Sequence, residues 1–390
     1  MIGLTGNLAM GKTVVRKMLE HLGVYTIDAG GLEHQAMAPG APAYKPIIQA
    51  FGTWILDAEH RVVRSRMAAV AFSHPDALRR YQSIMQPVVG RAIDTLINRS
   101  TQKFVVVEAI DLLEGAFANA VDAIWVVNCS PENQLARLMK KEGISQWEAR
   151  KRIDLQNPQQ EKLARAAAVI ENDGSADETW QAVQAAWRKL AGAAGVEAQR
   201  QQDQGMTQVI AMPAPAPDEP ETAREVSEAE VTVKRGTPKN AEEIARLITE
   251  LTGQQMTRTD LMMAFGEKSY MLADVNGTNV GLVGFQVENL ITRVDEFMLV
   301  PKFAHPAVVR LMIDAVEQAS TDLQSEIGFF FLPQDVPQPV RDAFGEKGYA
   351  ARTLEQIKVP AWREAARESQ PEGTIIFARK LRAERVLKPL

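Results

Sequence analysis

Residues 6–13 read Gly6-Asn7-Leu8-Ala9-Met10-Gly11-Lys12-Thr13, and this stretch decides the fold of the first half of the chain. It fits the pattern G-x-x-x-x-G-K-[ST], in which Gly6 and Gly11 let the backbone turn its N–H groups toward phosphate oxygens. Lys12 is predicted to contact the β- and γ-phosphates of ATP, and the Thr13 hydroxyl to bind Mg²⁺. The helix that follows adds a dipole that favours anions. The stretch therefore predicts a phosphate loop with ATP and Mg²⁺ as cofactors.

The sequence around this loop alternates strand-like and helix-like runs. Met1 to Thr5 is suited to a first strand, and Val14 to Leu22 predicts a helix that ends at Gly23. Further short apolar runs predict parallel strands that are covered on both faces, at residues 24–27, 104–107 and 124–127. This alternation predicts an α/β fold, a doubly wound parallel sheet of the P-loop type.

Composition limits the class of protein and its partners. A chain of 390 residues is long enough for about two or three domains. The net charge of −5 makes nucleic acid an improbable partner. Cys129 is the single cysteine, which excludes an intramolecular disulfide and fits a reducing cytoplasm. No run approaches 18 apolar residues, so we expect no membrane span, and the first strand begins too early for a signal peptide.

Residues 191–229 differ sharply from the rest of the chain. They include Gln199-Arg200-Gln201-Gln202 and a segment rich in proline, alanine and glutamate, without apolar periodicity. Such composition favours an extended, disordered linker. The sequence therefore predicts domains at 1–190 and 230–390.

The second domain is predicted to be mixed α/β. Ser269 to Val275 and Val280 to Val287 flank Asn276-Gly277, a strong hairpin signal. Two further strands and two helices follow, with strands at 294–300 and 327–332 and helices at 306–319 and 339–347.

The first domain resembles dephospho-coenzyme A kinase over residues 1–190. The resemblance is carried by the phosphate loop and by several short motifs in the same order. These are Ile27-Asp28-Ala29, Ala38-Pro39-Gly40, Arg64, Gln134-Leu135-Ala136-Arg137-Leu138, Arg152, Gln156, Lys162 and Val169-Ile170-Glu171-Asn172.

The resemblance implies a reaction and roles for several residues. ATP would donate its γ-phosphoryl group to the ribose 3′-hydroxyl of dephospho-coenzyme A. Arg137, in the segment that resembles a lid, would join Lys12 in neutralising the transferred phosphoryl group. Asp28 would act on the acceptor hydroxyl, and Asn172 would lie near the adenine.

Some positions depart from the family pattern. Gly30 stands where a second aspartate is usual, and Asn7 and Ala9 stand where glycine is usual. A methyl group at Ala9 restricts the turn of the loop. Asp28, Glu108 and Asp111 are alternatives for the carboxylate that polarises the acceptor, although the last two also fit a structural role near a strand end.

The second domain resembles the GNAT acyltransferase superfamily over residues 230–382. The resemblance lies in the hairpin, Leu299-Val300-Pro301, Phe344-Gly345-Glu346-Lys347-Gly348-Tyr349 and Thr374-Ile375-Ile376-Phe377-Ala378. It implies coenzyme A or acetyl-CoA as a ligand. The stretch that would bind the pyrophosphate, residues 302–310, contains no glycine. Glu296 is a candidate base, and His305 fits a structural role better than a catalytic one.

Two functions remain open from the sequence. The first is an ATP-dependent kinase of the dephospho-coenzyme A type, fused to a GNAT-like module. The second is a catalytically impaired nucleotide-binding or scaffold protein. Lys12, Thr13 and Arg137 favour the first, whereas Ala9 and Gly30 favour the second.

Overall fold

A computed structural model of the chain describes residues 1–71, 73–113, 120–193 and 231–387. Within these ranges the chain divides into two compact units, one of residues 1–193 with 384–387 and the other of residues 231–383. A helix continues to Ala193, so it includes the first three residues of the predicted linker, 191–229. The rest of that predicted linker lies outside the described residues. In the described ranges, no helix combines the length and the apolar character needed to cross a membrane.

The first unit is built on a sheet of five described strands in the order β2-β3-β1-β4-β5, and all neighbouring strands are parallel. The strands are β1 (Ile2–Thr5), β2 (Tyr25–Asp28), β3 (Val105–Glu108), β4 (Ala123–Asn128) and β5 (Ala168–Glu171). The described helices are α1 (Lys12–His21), α2 (Ala29–Ala36), α3 (Tyr44–Phe51), α4 (Arg64–Ala71), α5 (Pro75–Arg99), α6 (Pro131–Glu142), α7 (Gln146–Asp154), α8 (Gln159–Ala164) and α9 (Ala176–Ala193). The predicted parallel α/β fold is confirmed.

The carboxyl ends of the parallel strands meet at one edge of this sheet. The central strand β1 ends at Thr5 and runs directly into the loop that precedes α1. Asp28 ends β2, Glu108 ends β3 and Asn128 ends β4. Ligands of open α/β sheets bind at this edge, so the fold gathers the polar residues of four strands around the loop.

The second unit contains a mixed sheet of seven described strands in the order β11-β12-β10-β9-β8-β7-β6. The strands are β6 (Val231–Arg235), β7 (Ser269–Val275), β8 (Thr278–Glu288), β9 (Ile291–Leu299), β10 (Ile327–Pro333), β11 (Ala350–Arg352) and β12 (Thr374–Lys380). The described helices are α10 (Ala241–Thr252), α11 (Arg258–Ala264), α12 (Pro306–Asp322), α13 (Gln338–Glu346) and α14 (Pro360–Ser369). The predicted mixed α/β class is confirmed, whereas β6, β11, α10 and α14 were not predicted.

Strands β9 and β10 are the parallel pair of this sheet, joined through α12, and they pair only over Ile291–Val294 and Ile327–Phe330. The other neighbours are antiparallel. The predicted hairpin is confirmed, with Asn276 and Gly277 at φ angles of 53° and 82°. Positive φ at both turn residues matches the twist of the two strands.

Candidate active site

The loop between β1 and α1 has two positions that only glycine can occupy. Gly6 has a φ of +144°, and a Cβ atom there would lie 2.5 Å from the Val127 carbonyl oxygen. Gly11 has a φ of +94°, and a Cβ atom there would lie 1.9 Å from Asn172 Nδ2. The motif glycines are therefore required both by the backbone conformation and by close neighbours.

The second half of the loop presents backbone N–H groups with no partner. Within the described ranges, four of these groups donate to no acceptor, those of Ala9, Gly11, Lys12 and Thr13. The helix dipole of α1 points its positive end toward the same place. Unpaired amides at a helix N-terminus form an anion-binding site.

Lys12 lies inside this site and is only 7% exposed. Its Nζ donates to the Asn7 carbonyl oxygen at 3.2 Å. Burial lowers the pKa of Lys12 from 10.5 to about 8, with help from the cations Lys162 and Lys141 and against the carboxylates of Glu108 and Asp28. A bound polyphosphate would raise this pKa again, because opposite charges favour the protonated ammonium.

Thr13 follows Lys12 at the start of α1, and its side chain is exposed. A threonine hydroxyl is an oxygen ligand that suits Mg²⁺, which keeps most of its waters and takes phosphate oxygens as ligands. No group of three or more His, Cys, Asp or Glu side chains that could hold a metal occurs in the part of the chain that the structure describes. The residues present therefore fit a Mg²⁺ that arrives with the nucleotide.

Arg137 on α6 lies over the loop. Its Nη2 donates to the Asn172 carbonyl oxygen at 2.7 Å. Its Nη1 lies 3.8 Å from the position of a Cβ atom at Gly11, and this buried nitrogen has no hydrogen-bond partner among the described residues. One arm of the guanidinium is thus fixed, and the other lies beside the unpaired amides.

Asn172, predicted to lie near the adenine, has its side chain against the loop instead. Its Nδ2 donates to the Met10 carbonyl oxygen at 3.0 Å, and its Oδ1 accepts from Thr179 Oγ1 at 2.9 Å. Both polar atoms of the side chain are used within the protein. This arrangement favours support of the loop, and contact with the nucleotide stays a prediction.

Two of the carboxylates predicted to act on the acceptor lie on adjacent strands. Asp28 and Glu108 are register partners in β2 and β3. Arg16 Nε donates to Glu108 Oε2 at 2.8 Å, and Arg16 Nη2 lies 3.8 Å from Asp28 Oδ2. Burial and the neighbouring Asp28 raise the pKa of Glu108, although Arg16 and Lys12 oppose them. Asp28 also caps α2 by accepting from the Gly31 amide at 3.0 Å.

The structure adds one acidic residue near Asp28 that the sequence did not single out, Glu33. Tyr81 Oη on α5 donates to Glu33 Oε2 on α2 at 3.1 Å. Burial raises the pKa of Glu33 to about 8, and the carboxylates of Asp111 and Asp28 act in the same direction. Charge repulsion therefore shows that Glu33, Asp111 and Asp28 lie in one region. No sequence signal joined Glu33 to Tyr81, which is 48 residues away.

Ala9 provides a prediction about stability. It has a φ of 60°, which costs an L-residue roughly 1–2 kcal/mol. We therefore expect Ala9→Gly to raise the free energy of unfolding of the first unit by about 1 kcal/mol. Chemical unfolding followed by tryptophan fluorescence measures this, since five of the six tryptophans precede residue 190.

A matched alanine-to-glycine substitution should change the free energy of unfolding in the opposite direction. Ala136 is exposed on α6 and has an ordinary helical backbone. Ala136→Gly should lower the free energy of unfolding by about 0.5–1 kcal/mol. A loss of stability in Ala9→Gly would contradict the assignment of strain to Ala9.

In the second unit, the candidate base Glu296 is held in an ion pair. Lys268 Nζ lies 2.8 Å from Glu296 Oε1 and 2.7 Å from Asp295 Oδ2. Burial acts to lower the pKa of Lys268, but Glu296 and Asp295 outweigh it and raise that pKa. One oxygen of the candidate base is therefore occupied by an ion pair.

His305 caps α12 in the stretch predicted to face a pyrophosphate. Its Nδ1 accepts from the Ala307 amide at 3.3 Å, and Pro306 has no N–H group to offer. The first turn of α12 therefore presents fewer donors to an anion than the loop of the first unit does.

Comparisons with known proteins agree with the geometry of the first unit. A family model described as dephospho-CoA kinase matches residues 1–178. A dephospho-CoA kinase of Geobacter metallireducens is 40% identical over 191 residues, which are 48% of this chain and 95% of the relative. The chain belongs to the dephospho-CoA kinase family. A relative from Geobacter sulfurreducens is 35% identical over 48% of this chain and 97% of its own length.

Solved structures similar to parts of the chain come from two groups. A dephospho-CoA kinase from Campylobacter jejuni has 22% identity and a TM-score of 0.37, covering 50% of this chain and 98% of that one. An acetyltransferase of the GNAT family from Streptococcus pneumoniae has 9% identity and a TM-score of 0.30, covering 39% of this chain and 99% of that one.

Proposed function

We propose that the first unit transfers the γ-phosphoryl group of ATP to the 3′-hydroxyl of dephospho-coenzyme A. The observation that carries this proposal is the set of four unpaired amides with Lys12 among them, in a chain of the dephospho-CoA kinase family. The negatively charged triphosphate of ATP is the kind of ligand that such an anion-binding site holds. Membership of the family supports dephospho-coenzyme A as the phosphoryl acceptor. The geometry of the loop supports ATP as the phosphoryl donor.

Each residue contributes differently to the transfer. The amides of Gly11 and Lys12 would hold the phosphate chain, and Arg137 Nη1 with Lys12 Nζ would neutralise charge on the transferred group. Thr13 would hold Mg²⁺, which supplies charge neutralisation when bound. The acceptor oxygen forms a bond to the γ-phosphorus, the bond to ADP breaks, and Asp28 takes the hydroxyl proton.

The direct test is formation of coenzyme A by the full chain from ATP, Mg²⁺ and dephospho-coenzyme A, followed by chromatography. We expect ADP and coenzyme A in equal amounts. ATP binding without product would favour the catalytically impaired alternative for the first unit. Absence of ATP binding would overturn the proposal for the phosphate loop as well.

The affinity for ATP should depend on pH through Lys12. With a pKa of about 8 in the free protein, Lys12 loses its proton above that pH, whereas bound phosphates keep it protonated. Above pH 8 the affinity should therefore fall by up to about tenfold per pH unit, with proton uptake on binding. Calorimetry at pH 8.5 in buffers of different ionisation enthalpy measures this uptake.

Lys12→Arg is the control for this pH dependence, since arginine stays charged throughout this range. The variant should bind ATP with no proton uptake from this position. A wild-type affinity that does not change between pH 7 and 9.5 would contradict the assignment.

For the second unit we propose a GNAT-like module that has lost acetyl transfer. The ion pair of Glu296 with Lys268 and the capping of α12 by His305 support this proposal. Binding of coenzyme A or acetyl-CoA by this unit remains a prediction, and calorimetric titration with each of them tests it.

A further inference from the structure

Asn7 connects the phosphate loop to the segment between α7 and α8. Its backbone N–H donates to Gln159 Oε1 at 3.0 Å, and its Nδ2 donates to the Asn157 carbonyl oxygen at 3.1 Å. Gln159 Nε2 in turn donates to the Val127 carbonyl oxygen at 2.9 Å, near the end of β4. Asn7 and Gln159 are both buried, at 5% and 8% exposed. We name Asn7, Asn157 and Gln159 the loop clasp.

The next loop residue is held in a similar way. The Leu8 N–H donates to Gln156 Oε1 at 2.9 Å, and the Leu8 carbonyl oxygen accepts from Gln134 Nε2 at 2.9 Å. The amides of Asn7 and Leu8 are therefore bound to glutamine side chains, whereas those of Ala9, Gly11, Lys12 and Thr13 have no acceptor among the described residues. The two halves therefore differ in role, because the unpaired amides that can bind phosphate lie in the second half.

The strained residue Ala9 lies at the boundary between these halves. On its amino-terminal side the loop clasp fixes Asn7, and on its carboxyl-terminal side Asn172 fixes the Met10 carbonyl oxygen. Asn7 also supplies the carbonyl oxygen that accepts from Lys12 Nζ. A residue in an unfavourable backbone region persists only where the surrounding contacts enforce it.

We infer that Asn7 is a positioning residue that acts through Asn157 and Gln159. The loop clasp enforces the left-handed backbone at Ala9 and so holds the phosphate loop in its anion-binding shape before ATP arrives. A glycine at position 7 would have no side-chain amide to reach Asn157, so this device depends on the asparagine side chain. The inference rests on the proposed function, because it concerns affinity for ATP.

The test is a double-mutant cycle on the full chain, with the Kd and the KM for ATP as readouts. Gln159→Leu removes the acceptor of the Asn7 amide and should weaken ATP binding about tenfold, while kcat at saturating ATP changes less than about threefold. In an Ala9→Gly background, the same substitution should cost less than about threefold, because glycine adopts the left-handed backbone without enforcement. General damage to the unit would give the same loss in both backgrounds.

Gln160→Leu is the matched control, since Gln160 is the exposed neighbour of Gln159. Asn7→Ser provides a second variant in case Gln159→Leu does not fold, because it removes only the bond to Asn157; it should weaken ATP binding about threefold. Wild-type affinity in the clasp variants, or an equal loss in the Ala9→Gly background, would overturn the inference while leaving the proposed function intact. Failure of the wild-type chain to bind ATP would overturn both.

Discussion

Replacing Lys12 with alanine is expected to lower kcat/KM for coenzyme A formation on the order of 10²- to 10³-fold. Lys12 Nζ is the buried cation of the loop and has one hydrogen bond, to the Asn7 carbonyl oxygen. In a site that excludes water, a fixed positive charge stabilises the developing charge on the transferred phosphoryl group far more than it would in water. Steady-state assays with ATP and dephospho-coenzyme A measure the loss.

Measurements of stability show whether the loss of kcat/KM arises from unfolding of the variant. A shift of the Lys12 pKa from 10.5 to about 8 costs the free protein roughly 3 kcal/mol. This cost is present in full below pH 8 and disappears as the pH rises toward 10.5, because the unfolded chain keeps its proton up to that pH. Lys12→Met keeps the apolar part of the side chain. Its free energy of unfolding at pH 7 should therefore be at least as large as that of the wild type.

Lys140→Ala is the control for activity, since Lys140 is an exposed lysine on α6. It should retain wild-type kcat/KM. If Lys12→Ala also retained its activity, Lys12 would have no part in the transfer, and the phosphate loop would be a structural turn.

The phosphate loop could be predicted from sequence because its chemistry is local. Two glycines, a lysine and a threonine lie within eight residues; the backbone requires both glycines, and the motif predicts phosphate and Mg²⁺ contacts for the other two. The loop clasp could not be predicted, because the partners of Asn7 lie 150 and 152 residues away. The sequence identified Asn7 as a departure, but only the connection between α7 and α8 shows what the side chain binds.

The acceptor side was harder to predict for the same reason. The absence of a carboxylate at Gly30 was evident, but the register of β2 and β3 that sets Asp28 beside Glu108 is a property of the sheet. Glu33 lies one helical turn beyond Gly30, and its partner Tyr81 comes from a helix that packs across α2. From sequence alone, a glutamate in a helix is expected to be solvated. Burial is the main cause of the raised pKa of Glu33, and it depends on the packing of the folded chain.

In the second unit, short-range patterns were sufficient for the hairpin and for α12, whereas charge pairing was not foreseen. Glu296 stood out as a lone strand carboxylate, and Lys268 lies on a preceding segment 28 residues earlier. The pair forms because β7 and β8 fold Lys268 back beside β9. Sequence can therefore identify a candidate base here, but only the sheet shows that it forms an ion pair with Lys268.

Asp28→Asn is expected to lower kcat on the order of 10²- to 10⁴-fold, with the Kd for ATP changed less than about threefold. Asparagine caps a helix as well as aspartate does, so α2 should keep its bond from the Gly31 amide. What the variant removes is the negative charge that takes the acceptor proton. Rapid-quench assays for kcat and calorimetry for ATP binding measure the two effects separately.

Glu108→Gln distinguishes Asp28 from its neighbour on β3. Glu108 is buried and bound to Arg16 Nε, whereas the side chain of Asp28 is 28% exposed and lies 3.8 Å from the same guanidinium. Removing the charge of Glu108 leaves a buried arginine less well compensated, so this variant should mainly lose stability, by roughly 3 kcal/mol or more. Should Asp28→Asn keep wild-type kcat while Glu108→Gln loses it without unfolding, the acceptor base would be Glu108. The accessible carboxylate favours Asp28, because a proton acceptor must reach a substrate that binds from solvent.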